Sequence, residues 1–180
     1  MQIQEFDPTR ISKSSSNYDV KKLNWFNAQY IKKLDEEKYM SLVKPFLEEA
    51  YDLKDKDEKW ITHLAKIYQN HISFGKEIVK EVEMFFNEET NPSEECIEFM
   101  KEEGIDKTLN CFKNEIENIS SWSVEEINNA INNTKGKAEV KGKMLYMPIR
   151  IKTTGVMHGP ELPDTIYLLG KELTLKRLSN

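Results

Sequence analysis

Two cysteines are all the thiol chemistry in these 180 residues, and Cys96 and Cys111 do not form a CxxC pair. The sequence therefore predicts two reduced thiols in a cytosolic chain, not a disulfide framework or a cysteine-ligated metal. Long apolar runs are missing too. The longest, such as Ile166 to Leu169, span a few residues, where a membrane crossing needs about 20. No basic segment followed by an apolar stretch opens the chain, so no secretory signal is read. Strand signals are scarce: alternation is nearly absent, and no Asn-Gly or Asp-Gly dipeptide marks a hairpin. P-loop, nucleophile-elbow and HExxH motifs are absent. The three histidines do not make a metal pair, since His63 and His71 lie eight residues apart instead of four. His158 has only Glu161 for company.

What is present is charge and helical spacing. Charged residues make up 32% of the chain and hydrophobic ones 38%, with a mean hydropathy of -0.66. Such a balance suits helices with wide solvated faces. Leu42, Phe46, Leu47, Ala50 and Tyr51 recur at helical spacing. So do Trp60, Leu64, Ile67, Tyr68 and Ile72, and again Ile78, Val82, Phe85 and Phe86. Caps punctuate these runs. Asp35 can cap a helix from Glu36. Asn91 can cap one with Pro92 in its first position, and Ser123 one that carries Glu126 in a capping box between Trp122 and Ile127. Gly170 is a stop for a helix through Leu169.

These signals predict an all-α chain of nine or ten helices in two consecutive small bundles, over residues 19–88 and 89–180. Turn formers cluster between them at Asn87–Pro92, and residues 1–18 read as an extended lead. The net charge of -5 hides an asymmetry. Fifteen Asp/Glu face four Lys from Glu77 to Glu126, whereas nine Lys/Arg face four Asp/Glu from Ile127 to Asn180. Basic ends around an acidic middle are compatible with an RNA surface, although composition alone favours plain charge heterogeneity. The stretch Thr134–Gly159 holds four of the seven glycines together with Lys135, Lys137, Lys141, Lys143, Arg150 and Lys152, interleaved with Met144, Tyr146, Met147 and Met157. Cations for phosphates, soft or flat side chains for stacking and glycines for close backbone approach suit single-stranded nucleic acid.

Two segments carry a resemblance. ISKSSSNYDVKKLNWFNAQYIKKL (Ile11–Leu34) and KGKMLYMPIRIKTTGVMHGPELPDTIYLLGKELTLKRL (Lys141–Leu178) resemble bacterial glutamyl-tRNA synthetases, class I aminoacyl-tRNA synthetases, downstream of their catalytic domain. SWSVEEINNAI (Ser121–Ile131) fits the same alignment. The resemblance implies the C-terminal anticodon-binding region of a ligase that joins glutamate to tRNA. ATP and Mg²⁺ would act in a catalytic domain outside this chain, which alone should be inactive and need no cofactor. The Ile11–Ser15 string looks like a class I ATP loop, but in the family a similar string lies beyond that loop. Met1 is then an artificial start. The parent would be cytoplasmic, free of membrane and monomeric.

In the family, the loop aligned with Gly159, Pro160 and Leu162 reads the first anticodon base, so Leu162 would pack on the base face. Arg150 aligns with an arginine that lies against the anticodon, and Met147 with a position where an aromatic occurs. Lys141 and Lys143 would add phosphate contacts. Strict members carry an arginine for the third base where this chain has His71, with Gln69 two residues before it. The missing arginine implies relaxed specificity towards glutamine tRNA. Trp25 and Tyr30 are expected in the core. The competing reading is a helical protein–protein interaction module without RNA affinity.

Overall fold

The computed structural model describes residues 19–180. The extended lead and the Ile11–Ser15 string lie outside the described residues. Ten α-helices follow one another: α1 (Val20–Ile31), α2 (Glu36–Ala50), α3 (Glu58–Tyr68), α4 (Glu77–Val82), α5 (Glu94–Phe99), α6 (Ile105–Glu117), α7 (Val124–Ala138), α8 (Lys143–Thr154), α9 (Leu162–Leu169) and α10 (Lys171–Ser179). A 3-10 turn at Glu83–Phe85 extends α4. The described residues contain no strand, in agreement with the all-α expectation.

Caps set most helix starts. Asp35 accepts from the Lys38 amide at 2.9 Å, and Ser123 from the Glu126 amide at 3.2 Å, as their positions predict. Asp19 and Asp57 start α1 and α3 in the same way. Asn91 does not cap. The cap of α5 is Ser93, whose hydroxyl accepts from the Cys96 amide, so Pro92 precedes the helix and is not its first residue. Cys96 and Phe99 are buried on this helix, and their burial sets where its first turn begins. Gly170 has φ 82° and ends α9, as read from sequence, while α10 starts at the next residue.

The first core gathers Tyr39, Val43 and Leu47 from α2, Leu64 and Tyr68 from α3, and Ile78 and Val82 from α4. The buried face of α2 is thus rotated from the predicted one, and Ala50 is exposed. The second core joins α6, α7, α8, α9 and α10 through Phe112, Ile116, Ile131, Leu145, Ile149, Ile166 and Leu178. A third cluster packs Cys96, Phe99 and Ile105 against Ile151. Trp25 and Tyr30 correct the core expectation: they are 59% and 75% exposed. Within α1 only Ile31 is buried, and Trp25 meets Phe26 edge-on at 5.0 Å. No described helix covers that face.

The cores are stitched together. Leu168 and Leu169 of α9 reach into the first core. The last turn of a helix leaves carbonyls without intrahelical donors, and here two indoles supply them. Trp60 from α3 donates to the Leu168 carbonyl at 3.0 Å, and Trp122, just before α7, to the Tyr167 carbonyl at 3.0 Å. Arg177 of α10 is 3% exposed. Its guanidinium donates to the carbonyls of Met84 and Asn87, both at 2.6 Å, and to those of Thr153 and Glu88. Burial pushes its pKa below the ordinary value. Arg177→Ala would orphan those carbonyls, each at a cost of about 1–3 kcal/mol where water cannot replace the donor. Urea unfolding should show a clear loss of stability, with Arg177→Lys intermediate because an ammonium cannot reproduce the planar fork.

Candidate nucleic-acid interface

Helix α8 carries the central cation. Gly142 precedes it with φ 55°, and Pro148 within it lacks the N–H that would bond the Met144 carbonyl. One turn before Arg150 lies Tyr146, 46% exposed. Residues four apart share a helix face, so Tyr146 lies on the face from which Arg150 projects. Tyr146 is one of the interleaved side chains that the sequence offers for stacking.

Arg150 is half-buried and turns its fork onto the loop before α9. Its Nη2 donates to the Pro160 carbonyl at 2.7 Å. A Cβ on Gly159 would stand 3.2 Å from Arg150 Nη1, so glycine leaves the guanidinium its room. Burial lowers the Arg150 pKa, with Tyr68 and Glu161 opposing. Arg150, Gly159 and Pro160 are therefore brought together. Leu162 is not available to them: it is 2% exposed in the second core, where the apolar first turn of α9 anchors the loop, so its side chain cannot lie on a base.

The third-base candidates separate likewise. Gln69 donates its amide to the Ile31 and Leu34 carbonyls at 2.8 and 2.9 Å. Both its N–H groups are spent at and just past the end of α1, so it has no donor left for a base. His71 is exposed; its ring sits 5.9 Å from that of Tyr68. Glu81 lies close by; its pKa is raised by burial first and Glu77 second, while His71 pulls it down. Met147 is half-buried against the third cluster. Lys141 and Lys143 are exposed at the start of α8, and Lys143 Nζ lies 4.5 Å over the Phe99 ring.

The two groups of residues lie towards the same end of the α3–α9 pair. Trp60 meets Leu168, and one turn on His63 Nε2 meets Asp164 Oδ1 at 2.7 Å. Numbers rise along α3 as they fall along α9, so the helices run antiparallel. Continued past His63, this register brings the end of α3 at Tyr68 to the level of Pro160. The mutual influence of Tyr68 and Arg150 on each other's ionisation agrees. Tyr68 Oη is the one buried side-chain polar atom among the described residues without a hydrogen-bond partner. Its pKa is raised by burial, with Glu81 adding and Arg150 opposing. Among the described residues no three His, Cys, Asp or Glu side chains gather as a metal site. What the arrangement offers is one fork of donors held against the Gly159–Pro160 loop, with an exposed tyrosine ring and two lysines towards the start of the same helix.

Two substitutions separate stability from recognition here. Tyr68→Phe removes an unpaired hydroxyl and should leave unfolding free energy equal or raise it by about 1 kcal/mol in chemical denaturation. Gly159→Ala should displace the Arg150 guanidinium and weaken binding of a single-stranded RNA loop, measured by anisotropy, while the melting temperature stays within a few degrees.

A family model described as an anticodon binding domain matches residues 38–180. A glutamate–tRNA ligase of Bacillus licheniformis is 40% identical over 182 residues, covering 99% of this chain and 38% of that protein. One of Geobacillus stearothermophilus is 41% identical over 180 residues, covering 98% and 37%. The chain thus spans well under half the length of these curated relatives. Among solved structures, a glutamate tRNA ligase from Elizabethkingia meningosepticum, in complex with its amino acid, superposes with a TM-score of 0.78. It is 22% identical and covers 97% of this chain and 34% of that one, a likeness of fold.

Proposed function

The chain belongs to the anticodon-binding domain family, and from that membership we propose that it reads the anticodon loop of a tRNA as the C-terminal part of a glutamate–tRNA ligase. The observation that carries the reading is the Arg150–Pro160 pairing beside Gly159, inside the matched region. An unpaired base splayed from a loop exposes its Watson–Crick edge. The loop backbone at Gly159–Glu161 and the Arg150 fork can bond that edge, and Tyr146 can stack beside it. Lys141 and Lys143 add phosphate contacts. The glutamate-activating chemistry, with ATP and Mg²⁺, then belongs to the part of the enzyme outside this chain.

Specificity at the third anticodon base rests on His71 in this reading. An arginine fork selects C over G through two donors; a histidine offers one donor when neutral. The relaxed site accepts both glutamate and glutamine tRNAs. The basic stretch and the Gly159 loop favour RNA over the alternative, a protein-binding helical module that would use the acidic helices.

Anisotropy with glutamate and glutamine anticodon stem-loops across a salt series tests this. Equal binding that weakens with salt, with a log–log slope of roughly 0.7–0.9 per phosphate contact, and that disappears when the anticodon is scrambled, is expected. His71→Arg should then favour the C-bearing loop by about tenfold. A strong preference for the glutamate loop in the unaltered chain removes the relaxed-specificity reading, and no binding at low salt removes the RNA reading altogether.

A further inference from the structure

Among the described residues two side-chain hydrogen bonds join α3 to α9, and they differ in kind. Trp60 donates to the Leu168 carbonyl where α9 ends. His63 pairs with the Asp164 carboxylate where α9 begins, at 2.7 Å. A carboxylate oxygen only accepts, so Nε2 of His63 carries the proton. The pair is specific. Glu58 is occupied by Lys44 at 2.8 Å and Glu36 by Lys66 at 3.3 Å, which leaves Asp164 as the carboxylate for His63. The His63 ring also lies tilted against Tyr167, 5.6 Å between centroids. Both partners are roughly 70% covered, with side chains 30% and 28% exposed, so water screens the contact only in part.

The place of the pair matters more than its strength. Asp164 is the third residue of α9, four after Pro160, and a fixed first turn fixes the loop that feeds it. His63 lies five residues before Tyr68, about 7.5 Å along α3 at 1.5 Å per residue. One contact therefore spans the two elements that hold His71 and the Gly159–Pro160 loop. The Trp60 bond and the leucines at the other end of α9 already dock the helices.

We propose that His63 and Asp164 are positioning residues that set the spacing between the two anticodon-reading elements. This rests on the function proposed above. Losing the pair lets the start of α9 and its loop drift from the end of α3 while the bundles stay docked. The reading of two bases at once then suffers more than adhesion to the RNA backbone.

A double-substitution cycle in the full 180-residue chain decides the matter. Affinity would be measured for a cognate anticodon stem-loop and for one with scrambled anticodon bases. His63→Ala and Asp164→Ala are each expected to weaken cognate binding by about tenfold, with no further loss in the double variant. Scrambled-loop binding and thermal unfolding should change little. His63→Gln, which keeps one N–H donor, should restore most of the affinity. Without RNA, exchange of the Thr165 amide, which bonds the Glu161 carbonyl at 3.1 Å, should quicken in His63→Ala and not in His63→Gln. Additive losses, equal losses on both loops, or unchanged exchange would overturn the proposal while leaving RNA binding intact. An unaltered chain that binds neither loop would instead overturn the reading on which it rests.

Discussion

A guanidinium buried among carbonyl oxygens decides how the two cores of this protein face each other. Arg177 has no carboxylate partner; its donors are spent on the main chain at Met84, Asn87, Glu88 and Thr153. Those carbonyls belong to the end of the first bundle, the connecting stretch and the last turn of α8. A carbonyl cannot be exchanged by evolution as a side chain can, so the contact specifies backbone geometry. Removing the cation would leave unsatisfied acceptors in a dry place, a cost that hydrophobic packing does not offset. The connecting stretch is held from the far end of the sequence, by Arg177 on its carbonyls and by Lys176 on the Glu88 carboxylate.

Helix α9 is the second half of that constraint. It has eight residues and its apolar content serves two cores: Leu162 and Ile166 in the second, Leu168 and Leu169 in the first. Its free carbonyls are capped by an indole from each bundle. A helix this short is not stable by propensity; tertiary contacts on all sides hold it. The proposed reading loop leads directly into it, so the loop gains its rigidity from both cores.

Local signals were legible. Asp35, Ser123 and Gly170 act where their types and spacing place them, because a cap needs only its own few residues. The helical faces of α3 and α4 were equally readable. Aromatic identity alone misled at Trp25 and Tyr30, since a side chain can be apolar without a neighbouring element to cover it. Asn91 lost to Ser93 because burial of Cys96 and Phe99 outranked cap preference. At the site, Arg150, Gly159 and Pro160, named from the family resemblance, lie together. Leu162 and Gln69 were claimed by the core and by the end of α1, demands that lie far away in sequence. The Trp60–Leu168 and His63–Asp164 bonds, 108 and 101 residues apart, leave no trace in one sequence read alone.

The presence of Leu168 and Leu169 in the first core also governs the order in which the molecule can be completed. A ribosome finishes α4 and its 3-10 turn at Phe85 and must add 83 more residues before Leu168 exists. At roughly 5–20 residues per second that is a delay of about 4–17 s. During that interval the first bundle has every helix of its own and an open seam where two leucines belong. The emerging chain is therefore a partial fold that waits for its closing piece, and the early bundle matures only as the late one is made.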